Sequence, residues 1–167
     1  MAFVPNIINY KPFYIQTSSD STAIDTTQWG LVAKTNPYPA LPDAKEPYKN
    51  DWLDEDGEEE YVASMHYKPI EFSVSFFVKA FDSLTDSAVK VLHSQLDSFF
   101  AKIKEGEFKI YDSYTGLGRQ HVRYVGYKED DFKQRKDWAR LIFTVTFKAN
   151  DPITRMKLNN SNSIVTE

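Results

Sequence analysis

Three histidines, His66, His93 and His121, are the only imidazoles in a chain that has no cysteine, so any metal or nucleophilic chemistry would have to start from them. None stands in an HExxH arrangement or four residues from another histidine, the spacing that places two imidazoles on one helix face for zinc. His93 falls beside the apolar stripe of a helix, and His66 and His121 fall near strand ends; a structural role is expected of each. Residues 51–60 hold Asp51, Asp54, Glu55, Asp56, Glu58, Glu59 and Glu60 with no base among them. A calcium loop aligned on Gly57 would put Trp52 at the first ligand position and Ala63 at the last, where carboxylates are required, so the spacing fails. The run reads as a solvated loop, and second as a docking loop for a basic neighbour. No serine sits in a GxSxG turn. Gly116-Leu117-Gly118 is too short for a dinucleotide fingerprint and leads into a strand rather than a helix. No catalytic, cofactor-binding or metal residue is assigned, no cofactor is implied, and the chain is not expected to be an enzyme.

The elements that would have to position such residues point elsewhere. The chain has 167 residues, room for one domain, and 41% of them are hydrophobic. The aromatic share of 15% favours pleated surfaces and interfaces. A net charge of −4 lacks the basic footprint of a nucleic-acid binder, and residues 51–60 leave the remainder of the chain at +3. The lack of cysteine removes disulfides and thiolate sites and suits a reducing cytoplasm. The start Met1-Ala2-Phe3-Val4-Pro5-Asn6 lacks the basic and apolar regions of a signal peptide. No window reaches the roughly 18 apolar residues of a membrane span, so a soluble protein with no membrane partner is expected.

Alternation over residues 70–81 predicts a long strand with Ile70, Phe72, Val74, Phe76, Val78 and Ala80 on one face. Phe77 and Phe81 on the other face are candidates for contact with a helix or a neighbouring subunit. Ala88, Leu92, Leu96, Phe99 and Ile103 then recur at helical spacing and predict an amphipathic helix over 85–105, capped by Ser83, Thr85 or Asp86. Residues 107–112 and 120–127 read as a hairpin around the glycines 116 and 118, residues 128–137 as a charged solvated loop, and residues 139–149 as a second strong strand. Earlier, 6–16 and 29–34 are candidate strands, and 36–50, with four prolines, is a long excursion. The expected organisation is one domain over 1–158, with a Pro-rich and acidic excursion at about 36–60, and a polar tail over 159–167 that frays or is ordered only by a partner. The fold class is α+β, an antiparallel β-sandwich or split-barrel arrangement of sheets with one packed helix.

From Asp54-Glu55-Asp56-Gly57 to Asn150-Asp151-Pro152 the order of pieces resembles the N-terminal domain of the distal tail proteins of long-tailed bacteriophages. An acidic, Gly-containing loop precedes a strand like Lys68-Pro69-Ile70-Glu71-Phe72-Ser73-Val74-Ser75-Phe76, and a helix follows. Strands resembling Phe108-Lys109-Ile110-Tyr111-Asp112 and His121-Val122-Arg123-Tyr124-Val125-Gly126 come next. The closing strand 139–147 ends in Lys148-Ala149-Asn150-Asp151-Pro152. The resemblance implies a phage or prophage virion structural protein, placed in the tail and assembled in the host cytoplasm. It implies a homohexameric ring between the tail tube and the tail-tip baseplate, with tube, hub or fibre proteins as partners. The carbohydrate-binding-like domain of larger relatives falls outside it. Tail tube and tail terminator subunits share the sheet-plus-helix pattern and remain alternatives, as does a small host-encoded ligand-binding sandwich.

Overall fold

The computed structural model describes residues 12–34, 41–50, 53, 56–57 and 59–167. Its strands and helix, in chain order, are β1 (Phe13–Thr17), β2 (Ile24–Asp25), β3 (Leu31–Ala33), β4 (Tyr48–Asn50), β5 (Glu59–Tyr61), β6 (Ile70–Phe81), α1 (Ala88–Ile103), β7 (Phe108–Asp112), β8 (Leu117–Gln134), β9 (Trp138–Ala149), β10 (Met156–Leu158) and β11 (Ile164–Thr166). The main sheet runs β2-β1-β7-β8-β9-β6-β3, with β10 and β11 attached beside β8, and every pairing is antiparallel. The fold is α+β: mostly antiparallel sheet with one helix.

The centre of the sheet is set by two alternating sequences in register. Ile70 lies opposite Ala149 and the ladder continues unbroken to Phe81 opposite Trp138. Directly paired residues share a face, so the apolar members of β6 and β9 form one continuous surface. Phe72 stacks against Phe147, and Phe76 against Phe143 at 5.6 Å between ring centres. Onto this surface α1 lays its own stripe of Ala88, Leu92, Leu96, Phe99 and Ile103. Phe99 is fully buried and meets the rings of Trp29, Phe76, Phe100 and Phe143. Truncating a phenylalanine in such a setting typically costs about 3–5 kcal/mol. The sheet curls over the same core: the ring of Phe13 on β1 stands edge-on to Phe76 at 5.9 Å, although three strands separate β1 from β6.

The strand over 70–81 forms with the predicted bounds, and 139–149 gains only Trp138. The helix is shorter at its start than the spacing predicts, because Ser87 is the cap, its hydroxyl accepting from the Lys90 amide. Ser83 and Asp86 are occupied in the preceding turn, where the Asp86 amide donates to the Ser83 hydroxyl at 2.9 Å, and Asp82 takes the Ala88 amide at 2.6 Å. Of the candidate strand 6–16, residues 6–11 lie outside the described residues and the rest gives β1 from Phe13. In 29–34, Trp29 ends a 3-10 turn, Gly30 turns the chain at φ 73°, and β3 begins at Leu31.

Two expectations are corrected. Residues 128–137 are not a solvated loop: β8 continues to Gln134 and pairs with β9 along its whole outer half. Two bulges, between Tyr124 and Gly126 and between Glu129 and Asp131, each insert a residue and reset which side chains face which way. That removes the period of two from the sequence while the ladder continues. The segment 159–167 does not fray: β11 pairs with β10, Ile164 is buried, and its amide donates to the Gln16 side chain at 2.7 Å. Gly118 also differs from its expected role. It lies inside β8 rather than in the turn, and a Cβ there would stand 2.6 Å from the Met156 carbonyl oxygen, so glycine permits the close approach of β10.

Candidate assembly surfaces

The residues singled out for chemistry are dispersed. His66 is exposed near the isolated bridge between Ala44 and Tyr67, and His93 is exposed on α1. His121 sits in β8 at a positive φ of 51°, where a register shift against β7 lets its carbonyl take the Asn150 amide. Its Nδ1 lies 2.8 Å from Glu107 Oε2, on the exposed rim of a groove of about 600 Å³ beside Ser19, Lys109 and Gln120. The groove floor is tied by intrachain bonds. Lys102 donates to Asp20 at 2.7 Å with both side chains largely buried, and Lys109 donates to the Ile164 carbonyl. Burial would raise the Asp20 carboxyl, but hydrogen bonds from Lys102 and Thr17 outweigh it and hold it below the usual range. Among the described residues, no group of three or more His, Asp or Glu is arranged to hold a metal ion, and no helix is long and apolar enough to cross a membrane.

The built features are surfaces. β7 last meets β8 where Phe108 faces Val122, so from Arg123 to Gln134 no described strand pairs with the side of β8 turned away from β9. Val125, Tyr127 and Phe132 are 41%, 37% and 46% exposed along this stretch. Tyr127 is anchored on Phe100 and Phe143 and donates its hydroxyl to Glu129 at 3.1 Å. Its pKa is raised, first by burial and then by Glu129. The bulges beside Gly126 and Asp131 give the edge extra twist.

A second surface closes the far end of β6 and β9. Phe81 faces Trp138 there, and the Lys79 ammonium lies over both rings, at 5.2 and 4.5 Å from their centres. Phe77 and Phe81 point away from α1, which packs on the opposite face through Phe76, so the helix is not their partner.

The third surface is the excursion. Of the predicted 36–50 stretch, 36–40 lies outside the described residues, as do 51, 52, 54, 55 and 58 of the acidic run. What is described is the separate two-stranded hairpin β4–β5, with Tyr48 opposite Tyr61 and Lys49 opposite Glu60. Tyr48, Tyr61 and Val62 are half or more exposed, and among the described residues neither strand packs extensively on the body. The signal for it lay in the composition of 36–60. The open edge of β8 had none, because its bulged sequence reads as a loop.

No known protein family and no curated protein matches the chain in sequence. Among solved structures, the SPP1 Dit protein (gp 19.1), described as a paradigm of the hub adsorption apparatus in phages that infect Gram-positive hosts, superposes with a TM-score of 0.56 at 16% identity. The two share a fold. The likeness covers 87% of this chain and 52% of that one, so this chain spans about half the length of the SPP1 protein.

Proposed function

We propose that this chain is a structural protein of a phage or prophage tail, a distal tail adaptor that closes into a ring between the tail tube and the tail tip. The observation that carries the reading is the fold shared with SPP1 Dit over nearly all of this chain. The open edge of β8 supports it. An edge that no described strand pairs is a ready template for a strand of another copy, and repeating one heterologous contact around an axis closes a ring. The chain acts as a scaffold in this reading: it positions other tail proteins and breaks no bond.

Light scattering coupled to size exclusion, over a range of protein concentrations, tests the proposal. A discrete ring-sized species near six subunits is expected. Open-ended polymers would replace the adaptor with a tail tube subunit that stacks ring on ring. A strict monomer at every concentration would count against both and leave the ligand-binding sandwich as the better account.

A further inference from the structure

The segment 41–67 and the outer face of the main sheet carry opposite charge. By sequence the segment holds nine carboxylates against Lys45 and Lys49. It leaves the body at the Ala44–Tyr67 bridge and carries the hairpin β4–β5. A two-stranded hairpin is marginally stable alone, and the hairpin with the turn after it displays Tyr48, Tyr61, Val62 and Met65 at 71%, 50%, 58% and 43% exposure. Such exposed apolar surface on an arm marks an interaction site.

The sheet face opposite α1 follows from the register. Lys79, Arg140 and Lys133 form one cross-strand row, Lys148 and Arg123 share another with Glu71, and Lys128 stands opposite Thr144. Among the described residues, six cations therefore meet three carboxylates, Glu71, Asp130 and Asp131. Two of the three are already engaged: Asp131 by Arg140 at 3.2 Å and Asp130 by the Thr144 hydroxyl at 2.5 Å. Between the charged rows run the hydroxyl pairs Ser73–Thr146 and Ser75–Thr144, and Ile142 lies half-buried beyond them. Among the described residues, this face sets cations around a centre of hydroxyl and apolar side chains.

We propose that the acidic arm of one copy docks on this basic face of β6, β8 and β9 in the next copy. The inference rests on the ring reading and names its connecting segment. Charge complementarity between two surfaces of the same chain selects a second copy as the occupant, since one head-to-tail contact satisfies both surfaces on every subunit.

The test is a charge swap read by self-association in the full chain. Asp56→Lys with Glu59→Lys in the arm is expected to weaken association about tenfold, and more at low salt, as exposed ion pairs turn repulsive. Arg123→Glu with Lys148→Glu on the face is expected to do the same, and the four substitutions together to restore most of the lost affinity. Thermal midpoints of the monomers check that the exposed substitutions leave the fold intact. Rings that keep their affinity with either pair reversed, or no recovery in the fourfold variant, would overturn the arm contact while leaving the ring itself standing. A wild-type chain that stays monomeric at every concentration would overturn the ring reading and the arm contact together.

Discussion

Asp151 shows how one side chain fixes the end of the main sheet. It follows β9, and its carboxylate accepts from the Gln120 side chain at 2.6 Å and from the amides of Ile153 and Thr154 at 3.1 Å each. Burial alone would raise its pKa, but these bonds favour the charged form and hold it at about 2 against an ordinary 3.8. A folded value below the unfolded one means that the contribution is complete above pH ~4 and is lost as pH falls through about 2. Asp151→Asn is therefore expected to lower stability near neutrality by about 1–2 kcal/mol, since an amide accepts less well from two N–H groups. It should also flatten the decline of stability between pH ~4 and ~2, measured by denaturant titration at each pH. An unchanged acid slope in the variant would show that another carboxylate sets it, with Asp20, also held low, the first to examine.

At the scale of elements, alternation made β6 and β9 readable to within a residue, because both are central strands with one wholly apolar face. The helix was readable from its stripe, though its cap was not, since Ser83, Asp86 and Ser87 all have suitable side chains and only tertiary geometry assigns their partners. β8 was hidden. Its bulges near Val125 and Asp130 break the alternation, and the acids and lysines of an exposed arm look like a loop. β10 and β11 are three residues each, too short for any period, and depend on Gly118 admitting the Met156 backbone. The candidate surfaces divide in the same way: the acidic excursion stood out in composition, whereas the open edge could be seen only once β7 was known to stop at Phe108 opposite Val122. If that edge joins copies, lysine on it should block the addition of a strand as it does on natural edges. Val125→Lys with Phe132→Lys is expected to weaken self-association at least about tenfold while leaving monomer stability within about 1 kcal/mol, as partly exposed positions allow. Rings that form as before would move the contact to another edge.

The whole molecule divides into a body whose sheet and helix share one core and an arm that shares little of it. Among the described residues, every large buried side chain of the main core comes from β1, β3, β6, α1, β7, β8 or β9, and none from 41–67. Among the described residues, opening the arm exposes little that the body's core needs, which puts its local stability at the low end of the molecule's range. The acids that give the arm its charge also make it the preferred substrate of a Glu-specific protease, with Glu59 and Glu60 on an exposed strand. Brief digestion of monomeric protein should cut first within 41–67 and leave the two fragments associated, held by β3 against β6 and by the common core. The same digestion of assembled material should be slowed at these sites, because a docked arm must leave its neighbour before it can enter the protease. Equal cutting in both states would mean that the arm remains outside the assembly. Its charge would then be available to a different partner, and any self-association would rest on the strand edges alone.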